Sequence, residues 1–253
     1  MGLFAKTLIV HFLFATSLSL AAADNQSIPL FKAEYILQHN KLEIGHVELS
    51  VKALDRNRYQ LTSITHSSGL LSFIHSHKLT ESSLFELING KIRPINYQYL
   101  KQSKKQKKDV RLSFNWQKSN VTNTINGQHW SMPISEGVLD KALMQIALML
   151  DTNNSSNTIN YQIADGGKLK QYRFKPLGME EINVAGQTYT TQKFARTKGR
   201  HKNITYYWCA PALHNLPVLL QREKNMANLK CVWKKCVLTT PHQPIKVVSS
   251  TIS

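Results

Sequence analysis

Apolar and polar residues alternate along most of this chain from residue 31 onward. Residues 31–37, 42–51 and 59–65 carry apolar side chains at nearly every second position, the spacing of half-buried β-strands. Asn89-Gly90 and Asn126-Gly127 each separate two further segments of this kind and predict tight hairpins. Gly45 interrupts one strand pattern and indicates a bulge or a close backbone approach.

One segment breaks the alternation. From residue 138 to 150 the apolar residues recur at three- and four-residue spacing without Gly or Pro. This predicts one amphipathic helix that starts near Ser135 and ends before residue 153. Strand patterns resume from residue 158 to 240. We therefore expect a mainly β fold, a curved antiparallel sheet around one helix. No repeat or linker divides the chain, so we expect a single domain.

The first 23 residues have a different pattern. Lys6 precedes an apolar run over residues 8–20, and three alanines ending at Ala23 precede Asp24. A charged start, a short apolar run and an A-x-A site are typical of a secretory signal peptide. The run is too short for a membrane span of about 20 residues. We expect cleavage after Ala23 and a periplasmic protein of residues 24–253 that is not integral to the membrane.

The net charge of the chain indicates which kind of partner it attracts. The formal net charge is +17 and 42% of residues are hydrophobic, which excludes a disordered body and indicates attraction to anions. In an exported protein the candidate anions are lipid head groups, lipopolysaccharide or wall polymers, and we expect no nucleic-acid partner. The densest basic run offers candidate contacts to an anionic surface: Lys101, Lys104, Lys105, Lys107 and Lys108. A solvated hairpin loop is the simpler interpretation of this run.

The three cysteines are candidates for a disulfide in an oxidising compartment. Cys231 and Cys236 could bridge a tight hairpin. In a straight strand they would instead lie on opposite faces, and Cys209 would be an equally good partner for either. No C-x-x-C motif supports redox catalysis.

Candidate chemistry is sparse. His75 and His77 would share one face of a strand, with His66 across a turn, but a metal would require a further ligand. We therefore predict no metal site and no cofactor. No G-x-S-x-G, H-E-x-x-H or glycine-rich phosphate motif is present. Among the acids, Asp140 could cap the helix and Asp165 has a turn role beside two glycines, while Glu180 has few other acids nearby.

A set of dispersed motifs resembles a known family. The order is Phe31-x-Ala33-x-Tyr35, Ser68-Gly69-Leu70, Phe114-Asn115-Trp116, Asp140-Lys141-Ala142-Leu143, Asp165-Gly166-Gly167, Trp208-x-Ala210-Pro211 and Leu216-Pro217-Val218. It resembles the exported bacterial proteins of domain-of-unknown-function family 3108. The resemblance implies a half-barrel similar to the periplasmic lipoprotein carriers and brings no reaction with it. The lysine density and the cysteine at Cys209 depart from the family pattern.

The function expected from these features is that of a non-enzymatic periplasmic binder or carrier of an apolar or amphiphilic envelope ligand. The alternative is an envelope scaffold that contacts proteins or anionic polymers through a basic face. A hydrolase with an unrecognised site is the third hypothesis. A perturbed carboxylate in a cleft beside His66, His75 or His77 would favour it.

Overall fold

A computed structural model describes residues 28–68, 77–103, 107–152, 157–198, 201–224, 227–239 and 246–249. The predicted signal peptide lies outside these residues. The first eight strands are β1 Leu30–His39, β2 Leu42–Ala53, β3 Arg58–Ser67, β4 His77–Ile88, β5 Lys91–Ser103, β6 Lys107–Asn115, β7 Asn120–Ile125 and β8 Gln128–Pro133. They form an antiparallel meander, each strand pairing with the next.

The second half of the chain extends the same sheet. Its strands are β9 Leu139–Asp140, β10 Ile159–Ala164, β11 Leu169–Val184, β12 Gln187–Lys198, β13 His201–Ala210, β14 Leu216–Lys224, β15 Ala227–Thr239 and β16 Lys246–Ser249. β1 pairs with β15. The sheet therefore runs from β8 through β1 and β15 to β9, and β16 pairs with β15. The predicted mainly antiparallel sheet is confirmed, and β9 with β10 is a parallel pair.

A single α-helix among the described residues, α1 Leu143–Asp151, fills the interior of the curved sheet. Seven of its nine residues are buried, and they pack in the main apolar core with strands from both halves. The predicted start near Ser135 is wrong. Gly137 has a φ of +81°, and the short β9 follows it, so the chain is extended until Asp140. No helix in the described part of the chain is long and apolar enough to cross a membrane.

The two ends of the sheet curl toward each other without hydrogen bonding between β8 and β9. A second apolar cluster fills the space between them, with Tyr97, Leu112 and Val121 on one side and Val138 and Ala164 on the other. This region, where β4–β6 face β9–β12 beside the start of α1, is called the seam below. The result is a barrel-like sheet that remains open along one line.

Local turn chemistry explains the connections. Asn89-Gly90 and Asn126-Gly127 all have positive φ, as the predicted two-residue hairpins require. At Gly45 a side chain would place its Cβ 2.4 Å from the His66 carbonyl oxygen, and the β1–β2 register shifts beside it. Both readings of that glycine, bulge and close approach, are confirmed.

Candidate functional site

Asp140 is the most buried charged side chain of the seam. It is 0% exposed and accepts hydrogen bonds from the Ser83 hydroxyl at 2.5 Å and from the backbone N–H groups of Ala142 and Leu143 at 2.9 and 3.0 Å. Burial raises the pKa of Asp140 to about 7, although these donors act in the opposite direction. The predicted helix-capping role is confirmed, and Asp140 also ties the helix to β4.

Lys141, the next residue, contacts side chains of β4 and β5 across the seam. Its ammonium lies 3.2 Å from Glu81 and 5.5 Å from the ring centroid of Tyr99. The Tyr97 hydroxyl donates to the same Glu81 carboxylate at 2.7 Å. Burial raises the pKa of Tyr97, and the charge of Glu81 adds to this effect. The two tyrosines and the ion pair form the polar edge of β4 and β5 at the seam.

Arg196 faces this edge from β12. Its guanidinium stacks over the rings of Tyr172 and Tyr207 at 5.2 and 5.6 Å, and it donates to the Thr205 hydroxyl at 2.9 Å. The Nε atom of Arg196 is buried and has no hydrogen-bond partner among the described residues. No carboxylate of the described residues lies within ion-pair distance of this side chain. A buried donor without an acceptor is unfavourable, so this guanidinium is available to an anion.

A cavity of about 160 Å³ connects these groups. Its lining includes Glu81, Lys141, Arg196, Gln145 and Ser63. The Nε2 atom of Gln145 is a second buried donor without a partner. We call this space the Arg196 cavity. It contains one ion pair, one further cation and two unpaired N–H donors, and it therefore suits a ligand that carries hydrogen-bond acceptors and negative charge.

An adjacent cavity of about 190 Å³ shares Lys141 with the Arg196 cavity. Tyr97, Tyr99, Val110 and Leu112 form an aromatic and aliphatic part of its wall, and Lys108, Lys141 and Asp165 form a charged part. We call it the tyrosine cavity. Together the two spaces reach the lower end of the volumes of ligand pockets, about 300–1,000 Å³.

Two further cavities contain none of these cations with unpaired donors. One, about 560 Å³, is lined by residues of β3–β7, with Ser82, Gln98 and Arg111 among them, and also borders Tyr97 and Leu112. Another, about 240 Å³, lies beside the end of α1 between Ile92 and Leu150. Neither contains a buried polar atom that lacks a partner among the described residues, and neither therefore requires a polar ligand.

The cysteines, which were candidates for a disulfide, are all free thiols. The hairpin alternative is wrong, because β15 runs through both Cys231 and Cys236. The expectation that the two cysteines lie on opposite faces is also corrected. The β1–β15 register shifts beside Lys234, so Trp233 and Cys236 are both turned inward and are both 1% exposed. Cys231, two residues before Trp233, shares that face. Along the strand the two cysteines are about 13–16 Å apart, beyond the reach of a disulfide.

Cys209 cannot close the bridge either. It lies on β13, two strands from β15, which corresponds to about 9–10 Å between Cα atoms. Burial raises the pKa of all three thiols, to about 12 at Cys231 and about 11 at Cys236. Neutral, buried thiols are poor nucleophiles.

The predicted histidine and lysine candidates lie elsewhere. His66 is exposed and pairs across β2 and β3 with His46. His75 lies outside the described residues, and the His77 side chain is not described although its backbone begins β4. No group of three or more metal-binding side chains converges in the described part of the chain. The expected absence of a metal site therefore stays a prediction.

The basic run is a hairpin between two central strands. Lys101 pairs with Lys108 in the β5–β6 register, next to Lys107. These three side chains are exposed, while Lys104 and Lys105 lie outside the described residues. The lysines do not lie along a sheet edge, because β5 and β6 both have neighbours on either side.

The remaining candidate acids have structural partners. Burial alone would raise the pKa of Asp165, but the Lys170 and Lys198 ammonium groups, at 2.7 and 3.3 Å, outweigh it and lower that pKa. Glu180 accepts from the indole N–H of Trp208 at 2.5 Å. This bond lowers the pKa of Glu180 most, and Lys193 at 3.1 Å adds to it. Both carboxylates are therefore ionised partners in local networks.

Sequence reasoning missed Arg196 and Gln145. One signal could have indicated the arginine: it follows Phe194 at the same strand phase, and Phe194 is fully buried. A charge in the inward phase of a strand is unusual. Gln145 carries no such signal, because a glutamine on an amphipathic helix is an ordinary boundary residue.

Fold and seam together define a class: a mainly β protein with a barrel-like sheet that is open on one side and encloses a helix. The chain belongs to the family described as Protein of unknown function (DUF3108), whose profile matches residues 30–230. A crystal structure of a β-barrel-like protein of domain-of-unknown-function family DUF1849 from Brucella abortus is similar in fold, at 5% identity and a TM-score of 0.55, covering 84% of this chain and 98% of that one. No curated protein matches the chain.

Proposed function

We propose that this protein is a non-enzymatic periplasmic binding protein or carrier for an amphiphilic ligand of the cell envelope, which it holds at the seam. The observation that carries the proposal is the pairing of two adjacent cavities that share Lys141. The tyrosine cavity has an aromatic and aliphatic wall formed by Tyr97, Tyr99 and Leu112, and the Arg196 cavity contains unpaired donors. An amphiphile has the same division between an apolar chain and a polar head.

The filled interior limits where such a ligand lies. The buried residues of α1 occupy the centre of the main core of the described residues, so that space is already taken up by side chains. The tyrosine cavity offers room for a short stretch of chain between β5 and β6 on one side and Ala164 of β10 on the other. The open line of the sheet supplies the route of entry, because no backbone hydrogen bonds must break there.

A catalytic role has less support. The perturbed carboxylate, Asp140, is enclosed by Ser83 and backbone donors. His66 lies five residues from Leu61, the β3 residue opposite Ser83, which is about 16 Å along the strand. His66, the predicted histidine whose side chain the structure describes, is therefore not beside the Ser83–Asp140 pair to act as a base.

Native mass spectrometry of the protein purified from periplasm tests the proposal. We expect a reproducible amphiphile adduct that is released on unfolding. Ile125→Trp fills the tyrosine cavity, which Ile125 lines, and should abolish the adduct. Ile64→Trp is the matched control, because Ile64 is half-buried on β3 and lies outside both cavities. An apo wild-type protein that also takes up no added amphiphile would contradict the proposal.

The envelope scaffold is the second candidate, favoured by the exposed Lys101, Lys107 and Lys108 at one hairpin. Each lysine near an anionic surface contributes about 1 kcal/mol. The triple Lys→Gln variant should then lose binding to vesicles that contain phosphatidylglycerol, and binding of wild type should weaken with salt. Equal binding by variant and wild type would reject this candidate.

A further inference from the structure

We propose that the Arg196 cavity binds a monoanion with two equivalent oxygens, the carboxylate or phosphodiester head group of the ligand. The inference rests on the proposed function for the ligand's apolar part and adds the chemistry of its head. Four features of the described residues carry it: unpaired donors, net charge, a held guanidinium and a nearby carboxylate.

The unpaired donors require acceptors. Arg196 Nε and Gln145 Nε2 are both buried without partners, and both side chains line the same cavity. Each buried, unsatisfied donor destabilises a fold by about 1–3 kcal/mol, so a protein that retains two of them side by side gains when an acceptor binds. Gln145 is near enough to the Tyr35 hydroxyl to offset part of the rise in the pKa of Tyr35 that burial causes, but the two groups form no hydrogen bond in the described residues.

The charge of the cavity selects a monoanion. Lys141 is neutralised by Glu81 at 3.2 Å, while Arg196 has no carboxylate partner among the described side chains. The lining therefore has one positive charge in excess. A dianion would meet the Glu81 carboxylate, which lines the same space, and like charges at short range are strongly unfavourable in a partly buried site.

The guanidinium is held in place before any ligand binds. Tyr172 and Tyr207 lie against its faces, and Thr205 accepts from Nη2. An arginine whose plane is fixed presents its N–H groups as a fork, which matches two oxygens of a carboxylate or phosphodiester. Pre-organisation of this kind lowers the entropy lost on binding.

The experiment uses isothermal titration of the exported protein with matched probes. Decanoate and a soluble dihexanoyl phosphatidylglycerol carry the two head groups on apolar chains. Decan-1-ol has the chain without the charge, and acetate and dimethyl phosphate have the charge without the chain. Arg196→Met removes the guanidinium, and Arg173→Met is the control because Arg173 is exposed on the neighbouring β11.

We expect at least one charged amphiphile to bind at least tenfold more tightly than decan-1-ol. Arg196→Met should remove that difference and Arg173→Met should keep it. Gln145→Leu should reduce it in part, which tests the second donor in a fold that retains Arg196. Urea unfolding of each variant verifies that it is folded.

The outcomes separate this inference from the proposed function. If charged and uncharged amphiphiles bind wild type equally, the head-group inference is overturned while the proposed function stands. If acetate or dimethyl phosphate binds in an Arg196-dependent way and no amphiphile does, the anion site is supported and the proposed function fails. If no probe binds, both are rejected.

Discussion

Asp140 and Arg196 are both charged side chains turned toward the start of α1, and their surroundings are opposite. Asp140 accepts three hydrogen bonds and is fully enclosed. Arg196 has one neutral acceptor, two aromatic faces and a buried donor without a partner. A buried polar group whose hydrogen bonds are satisfied stabilises the fold, whereas an unsatisfied one marks a place where something else can bind.

The largest effect should come from breaking the satisfied site. Asp140→Ala leaves the Ser83 hydroxyl and two backbone N–H groups of α1 without an acceptor, so we expect a loss of about 2–4 kcal/mol in the free energy of unfolding. Urea denaturation measures it. Asp55→Ala is the control, because Asp55 also accepts from two backbone N–H groups but is exposed. Equal losses in the two variants would show that burial of the Asp140 cap is unimportant.

A pH series isolates the charge of Asp140. Its folded pKa is raised to about 7, above the unfolded value of about 3.9. The folded state therefore binds the proton more tightly, and the stability from the protonated form is lost as pH rises through about 7. Between pH 5 and pH 8 wild type should lose on the order of 2 kcal/mol more than Asp140→Asn. Parallel curves for the two proteins would contradict the raised pKa.

The unsatisfied site should behave differently. Arg196→Met keeps the apolar stem and removes an unpaired charge, so the free energy of unfolding should change by less than about 1 kcal/mol or increase. Arg93→Met is the control: Arg93 lies over Trp116 and pairs with Glu86 at 2.7 Å, and its removal should be destabilising by about 1 kcal/mol. A larger loss at Arg196 than at Arg93 would show that Arg196 serves stability.

The smallest expected effect concerns the ion pair between the two sites. Lys141 is 41% exposed and Glu81 is 16% exposed, so solvent screens the pair. A double-mutant cycle with Lys141→Met and Glu81→Gln should give a coupling of about 0.5–1 kcal/mol. A coupling near zero would mean that Glu81 does not neutralise Lys141, and the charge argument for the Arg196 cavity would lose its basis.

The seam illustrates how far sequence patterns reach. The motif that contains Asp140 and Lys141 was visible in the sequence, and Asp140 was expected to cap the helix because it lies near the start of the helical run. Their partners were not visible. Ser83 lies 57 residues from Asp140 and Glu81 lies 60 residues from Lys141, and no local pattern specifies which strand residues face a helix end across a curved sheet.

The predictions of the helix start and of the faces of the cysteines were wrong for related reasons. Val138 and Leu139 continue the helical spacing of apolar residues because both are buried. The backbone that carries them is extended, however, and not helical. Trp233 and Cys236 share the interior because a bulge adds one residue to β15. Periodicity reports which residues are buried, and it does not report the backbone path that buries them.

By itself the sequence determined the local features of this protein. Alternation specified the strands, Asn-Gly pairs specified two hairpins, and a change of period specified the helix, because each depends only on neighbouring residues. Tertiary structure alone decided that the sheet curls until its ends meet, that Glu81, Lys141 and Arg196 line one cavity, and that two donors remain unpaired there. Those features depend on the cumulative twist and register of many strands, which no short segment of the chain encodes.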